Sequence, residues 1–279
     1  MKNKLLKNKF IKIIPKNFFY NIIVIIGFFL LWELLAYFDL INIKLLPPPH
    51  ELFKEVFVKN RLEFFKIDYA QKGPQFFILN SILATLWRVI AGISIGFVLG
   101  LFTGALISYF KWLRRILLPI ITICAPISPI AWIPFAMIMF GIGNKPAVFV
   151  VVIGVFFLIC IATVSSITNA EPIYVNTART LGASRIQIMI YVILPSILPS
   201  LFLILRINLF AAWMSVLAAE MVGVSEGLGA MIMVGRALFN VKIIFVAMIL
   251  IGFTGYLLDH IFMFVQKHFL WWKQETKHV

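Results

Sequence analysis

The sequence predicts an all-helical, multi-pass membrane protein of about six spans. Of its residues, 62% are hydrophobic and 13% are charged, where a soluble domain averages about half apolar and about a quarter charged. Apolar stretches of the roughly 20 residues needed to cross a bilayer recur along the chain. Six lysines (Lys2, Lys4, Lys7, Lys9, Lys12 and Lys16) crowd the first sixteen residues, just before the first such stretch. Lys and Arg favour cytoplasmic loops, so this cluster places the N-terminus inside. A net charge of +14 would suggest nucleic acid in a soluble protein. Here its placement carries topology, and no nucleic-acid partner is expected.

Residues 1–17 read as a basic cytoplasmic tail on a single transmembrane domain, residues 1–279, whose core runs from about 75 to 265. The first span, about 18–38, is too long for a signal-peptide core. Ala36-Tyr37-Phe38-Asp39 also lacks a small-residue cleavage pattern, so the span is expected to be retained. Glu33 lies near its outer end and can snorkel. Residues 39–75 form an outer interfacial segment with six basic residues beside five acidic ones. Its Pro47-Pro48-Pro49 run is expected to be non-helical and to turn the chain along the membrane surface.

The second span, about 78–109, is long enough for its start, before Arg88, to protrude into the interface. Lys111, Arg114 and Arg115 then mark a cytoplasmic turn, with Tyr109 and Trp112 as interfacial aromatics. The third span, about 116–140, contains Pro119, Pro126, Pro129 and Pro134. Each removes a backbone donor, and such breaks are tolerated in lipid only where the helix is packed in protein or lines a cavity. Pro126, Pro129 and Pro134 are therefore candidates for a gate, or simply for a kinked helix inside the bundle. Spans at about 147–169, 195–218 and 242–265 complete the set. The last leads to a cytoplasmic tail with Lys267, Lys273, Lys277, Trp271 and Trp272. Between the last two, Gly227-Leu228-Gly229 introduces Ala230–Phe239, a segment too short to span and expected to be a re-entrant or surface helix.

Arg88, Arg206 and Asp259 fall inside apolar spans. Each costs about 2.5–3.5 kcal/mol at a helix centre, so each should find a partner, water or the interface. Ion pairing between helices and contact with a permeant both satisfy that need. Glu220, at the end of the fifth span, reads as an outer-gate or binding-protein contact, or as an exposed carboxylate among headgroups.

Enzyme chemistry finds no support. Gly141-Ile142-Gly143-Asn144-Lys145-Pro146 shares only a Gly and a Lys with a phosphate-binding loop. ATP hydrolysis, if it drives this protein, belongs to another polypeptide. Cys124 and Cys160 lie in apolar stretches without a CxxC or His partner. His50, His260, His268 and His278 have no serine or cysteine set by spacing to use them. No catalytic residue, metal or cofactor is expected.

The polar segment 170–194 is a cytoplasmic loop with its own helix signals. Pro172 suits a first helical turn, Gly182 a left-handed helix end, and Ser184 the cap of a second helix running to Pro195. Ile173, Thr177 and Leu181 share one face, with Asn176, Arg179 and Thr180 beside it. A helix this short cannot cross a bilayer, so it reads as a docking element.

This segment resembles the coupling loop of permease subunits of binding-protein-dependent ABC importers, written E-A-A, three residues, G, nine residues, I-x-L-P. Asn176-Thr177-Ala178 stands for E-A-A, Gly182 for the glycine, and Val192-Ile193-Leu194-Pro195 for I-x-L-P, with both gaps of the right length. Asn176 and Thr177 depart from the pattern, which removes the acidic contact and keeps the loop. Leu46-Pro47-Pro48-Pro49, Leu86-Trp87-Arg88-Val89, the 126–134 segment, Ala218-Ala219-Glu220-Met221 and Leu257-Leu258-Asp259 look like the nitrate, sulfonate and taurine branch of that family. The resemblance implies a multi-pass protein of the bacterial cytoplasmic (inner) membrane. It also implies separate cytoplasmic ATPase subunits, a second permease copy (a homodimer) and an extracytoplasmic solute-binding protein. Asn176, Thr177, Ala178, Arg179, Gly182, Leu194 and Pro195 would contact the ATPase. The cargo it implies is a small anion such as a sulfonate, taurine or nitrate, although the branch also includes importers of pyrimidine precursors of thiamine. A non-transporting anchor or sensor that recruits a cytoplasmic partner is the rival reading.

Overall fold

The computed structural model describes residues 17–38, 46–57, 74–170 and 172–270, and every regular element among them is helical. The N-terminal lysines, most of residues 39–75, and Trp271, Trp272, Lys273, Lys277 and His278 lie outside the described residues.

Helix α1 is Asn17–Tyr37 and α2 is Pro49–Phe57. The expectation that Pro47-Pro48-Pro49 is wholly non-helical needs correction at its last member, since Pro49 opens α2. A proline at the first helical position loses only an N–H that has no intrahelical partner. Helix α2 lies against α1 and the last helix, with Leu52 in a small core beside Trp32, Ile243 and Val246.

Helix α3, Pro74–Tyr109, has 36 residues and is about 54 Å long at 1.5 Å per residue, well beyond a hydrocarbon core of about 30 Å. It packs along α6, Asn144–Thr168, in the most extensive helix pairing of the fold. Gly92, Gly96, Gly100 and Gly104 repeat every fourth residue and form the contact ridge. A Cβ on these glycines would meet Val151 Cβ at 2.6 Å, Val152 O at 2.8 Å, Phe156 O at 2.9 Å and Cys160 O at 2.8 Å, respectively. Such small-residue repeats let helix backbones approach where lipid offers no hydrophobic driving force. The sequence reading passed over this repeat.

The third expected span is not one helix. Helix α4 (Lys111–Cys124) ends after Ala125 N donates to Ile121 O; a 3-10 turn at Pro129–Trp132 then leads into α5, Ile133–Phe140. The two halves meet at 96°. Pro126 and Pro129 cannot supply the amides that would carry α4 onward, so the chain turns sharply instead of kinking.

Helix α7, Pro172–Thr180, precedes α8, Arg185–Ile207. Helix α8 runs through Pro195, where the sequence reading stopped it. Its Ile188–Ile193 stretch is π-helical, and this wider turn lies where the Pro195 ring would otherwise crowd the Tyr191 carbonyl. The expected span 195–218 is in turn divided at Asn208, whose side chain donates to Ile204 O, and α9 (Leu209–Gly223) begins beyond it. After a 43° bend comes α10, Leu228–Ala237. Leu228, Ala230 and Met231 are buried, so α10 is an internal helix and not a surface one. Helix α11 is Val241–Phe269, capped by Asn240. Among the described residues, helices α3, α6, α8 and α11 are each long and apolar enough to cross a membrane, and the two bent pairs, each taken as one span, bring the candidates to six.

Helix α6 forms the centre of the molecule. Its Val150, Val151, Val155 and Ile159 pack with Val89 of α3, Ile133 of α5 and Trp213 and Val216 of α9.

Candidate functional site

Three features frame the site: a buried polar clasp at one end, a pair of cavities, and an exposed loop at the other end. The clasp joins α3, the start of α6, α9 and the turn into α10. Arg88 Nη1 donates to Glu220 Oε1 and, at 2.7 Å, to Glu226 O. Arg88 Nε and Nη2 donate to Asn144 Oδ1 at 2.9 and 2.6 Å. Glu220 Oε2 accepts from Thr85 Oγ1 at 3.0 Å and Gly229 N at 2.9 Å, while Leu228 N donates back to Thr85 Oγ1. Side-chain exposure is 2% for Arg88 and 0% for Glu220. Gly227, at φ 132°, has no room for a Cβ, which would lie 2.5 Å from the Glu220 carboxylate. The clasp thus satisfies both charges and fixes the α9–α10 turn. It corrects the reading of Glu220 as an exposed carboxylate or surface contact. Thr85 and Asn144 complete the clasp and were not singled out in the sequence.

The second in-span arginine is also paired. Arg206 Nε and Nη2 donate to Asp259 Oδ1 and Oδ2 at 3.0 and 3.1 Å, a two-point contact between α8 and α11. At the clasp end of α11, Glu51 of α2 pairs with Lys242 at 2.6 Å. The hydrogen bond from Lys242 holds the Glu51 carboxyl below its ordinary range. Glu33 of α1 contacts His50 of α2.

A cavity of about 510 Å³ lies between the α4–α5 bend, α6, α8 and α9. Pro129 and Gly154 line it, and Gly154 admits the proline ring, since a Cβ there would sit 2.8 Å from Pro129 Cγ. A second cavity, about 840 Å³, lies toward residues 170–194 and is lined by Asn169, Tyr174, Pro195, Ser200 and Gln266. Ser165 and Ser166 line both. Among the described residues, neither lining contains Asp, Glu, Lys, Arg or His. Of the pathway candidates read from sequence, Pro129 lines a cavity. Pro126, Pro134, Arg88, Arg206, Glu220 and Asp259 line neither. The serines were missed because isolated hydroxyls in apolar spans give no spacing signal, although Ser165-Ser166 and Asn208 interrupt otherwise apolar runs.

The exposed loop holds the residues of the coupling motif. Asn176, Thr177 and Arg179 are exposed on α7, and Ala178 is half-buried. Gly182 takes φ 81°, with Ala183 N bonded to Ala178 O. Ser184 and Gln187 form a reciprocal capping box, and Leu194 and Pro195 lie half-buried in α8. Ile173, Tyr174, Leu181 and Ile186 stand at 65, 55, 83 and 58% exposure.

Residues 96–270 match the family described as the binding-protein-dependent transport system inner membrane component. A bicarbonate transport system permease protein of Synechocystis is 32% identical over 245 residues, covering 87% of this chain and 85% of that protein. The taurine transport system permease protein of Escherichia coli is 26% identical, covering 88% and 86%. A methionine ABC transporter solved in inward-facing conformations aligns with a TM-score of 0.59 at 22% identity, covering 69% of this chain and 96% of that one. Its likeness extends to the fold. The matched span contains three of the four ridge glycines (Gly96, Gly100 and Gly104), both cavities and the exposed loop, and the chain belongs to this family of inner-membrane permease subunits of binding-protein-dependent ABC importers.

Proposed function

We propose that two copies of this permease enclose one solute pathway, with ATPase subunits docked on α7 and the turn through Gly182, and a solute-binding protein at the clasp end. One observation carries the reading: an exposed apolar loop, Ile173, Tyr174, Leu181 and Ile186, adjoins the end of a cavity system that continues between α6, α8 and α9. Exposed apolar side chains on a capped, turn-bearing loop suit a protein partner. A cavity enclosed by broken helices suits passage more than anchoring. Asn176 in place of the motif's acidic residue leaves that contact to a neutral amide.

For the cargo, the taurine and bicarbonate relatives support a small anion such as a sulfonate, taurine or nitrate. The described cavity linings, which contain no Asp, Glu, Lys, Arg or His, favour a second cargo reading, a neutral pyrimidine precursor of thiamine. Paired as they are and off both cavities, Arg88 and Arg206 give an anion no special help.

Gly182→Leu tests the coupling assignment. Nothing lies within 4 Å of a Cβ there, so the change strains φ by about 1–2 kcal/mol without a clash. The variant should reach the membrane at wild-type level and lose ATP-dependent uptake in vesicles. Wild-type uptake would reject the assignment, and an anchor would show no uptake in either form.

A further inference from the structure

We infer that Tyr174 is the inner gate of the solute route: its ring, carried on the docking helix α7, swings across the second cavity when docked ATPase subunits take up nucleotide. The inference rests on the docking reading above and assigns the closing element within it.

Among the described residues, Tyr174 is the only member of α7 that lines either cavity. Ile173 and Leu181 share the exposed apolar surface with it, but neither borders the solute space. Tyr174 lines the second cavity and is still 55% exposed, so its ring stands at the rim and not across the opening. Among the described residues, no hydrogen bond or ring contact holds it there. Around the same cavity lie Pro195, Pro199 and Ser200 of α8 and Gln266 of α11. Ser165 and Ser166 of α6 line both cavities. A solute leaving the first cavity past these serines therefore enters the space that Tyr174 borders.

A ring can gate only where its helix moves more easily than the walls around it. Helix α7 packs against the Ile188–Ile193 stretch of α8, which is π-helical, and against no other element to a comparable extent. Just beyond that stretch, Pro195 and Pro199 supply no amide to the α8 ladder, so the seat of α7 is a weakened part of its helix. The opposite wall belongs to α6, the packed centre of the molecule. Movement is therefore concentrated in α7 and the turn beneath it. A partner held by Ile173 and Leu181 turns the ring along with the helix. It shifts the open and closed populations by as much as its affinity for them differs, and nucleotide sets that difference.

The test uses the full importer with its ATPase subunits in inside-out membrane vesicles, carrying Cys124→Ser and Ser165→Cys. Cys160 is 0% exposed and stays. Ser165 is exposed where the two cavities join; Ser166→Cys serves if the first variant fails to assemble. A charged, membrane-impermeant methanethiosulfonate is applied from the cytoplasmic face. Complexes are then isolated through a tag on the ATPase, so that only docked permeases are counted. A non-hydrolysable ATP analogue should slow labelling about tenfold, a shift that needs only an equal difference in affinity between the two states. Tyr174→Ala should abolish the slowing, and Tyr174→Phe should keep it, because the ring and not the hydroxyl closes the opening. Slowing that survives Tyr174→Ala would show that the helices close the route without the ring, and overturns the inference. So does an absence of slowing with Tyr174 in place, or a Tyr174→Ala permease that no longer isolates with the ATPase, which makes the residue a docking contact alone. Failure of the permease that keeps Tyr174 to isolate with the ATPase rejects the docking reading itself, and the inference with it.

Discussion

At the scale of single residues, the clasp and the exposed pair differ in what they contribute. Arg88 and Glu220 are fully buried, and removing one partner strands the other charge. Glu220→Ala should therefore destabilise the detergent-solubilised protein by about 3–5 kcal/mol, read as a large fall in thermal midpoint. Arg88→Leu with Glu220→Leu should lose less than either single change, because no unpaired charge remains; a double mutant as unstable as both singles combined would refute the pairing as the cause. Glu51 with Lys242 is partly exposed, with side-chain exposures of 34 and 37%, so Lys242→Ala should cost under about 1 kcal/mol. The sign of its pH dependence follows from the direction of the shift. The folded-state pKa of Glu51 lies below its unfolded value, so the contribution is present above the unfolded pKa and is lost as pH falls through the folded one. The difference in melting temperature between wild type and Lys242→Ala should vanish on acidification below the ordinary carboxylate range.

At the scale of elements, the glycine ridge is the most demanding contact. A Cβ at Gly96 or Gly100 meets a backbone carbonyl on α6 at 2.8 or 2.9 Å, and backbone cannot move aside as a side-chain tip can. Gly96→Leu should cost at least the roughly 1–3 kcal/mol of ordinary overpacking and lower the yield of folded permease. Gly27→Ala, with nothing within 4 Å of its Cβ, should match wild type; an equal loss at both would show that the ridge is not a close packing surface. The four-residue repeat was legible in the sequence as a small-residue pattern. Which helix it faced was not, because every apolar span offers an acceptable partner until they pack.

For the whole molecule, the first cavity exists because the third span breaks at 96° and Gly154 admits Pro129. Filling it should block passage without unmaking the docking loop, none of whose described residues lines this cavity. Ala211→Trp, at an exposed lining position, is expected to abolish vesicle uptake while ATPase subunits still co-purify. Normal uptake by this variant would exclude the cavity from the solute route. Orientation can be read independently by thiol labelling from either side of the membrane: Arg114→Cys should react from the cytoplasmic side and Lys145→Cys from the outside.

The helical class, the recurring spans, the loop's Gly182 turn and Ser184 cap, and the family all followed from the sequence alone. Each depends on local composition or fixed spacing, and residues within a few positions decide it. The sequence also showed that Arg88, Arg206, Glu220 and Asp259 needed partners. It could not say which, because Arg88 and Glu220 are 132 positions apart and Arg206 and Asp259 are 53 apart; only packing α3 on α9 and α8 on α11 brings them together. The same packing turned Glu220 from an expected surface group into the centre of a buried clasp. It also left Arg88 and Arg206 off both cavities and set Ser166 of α6 beside Ser200 of α8 in the lining of the second.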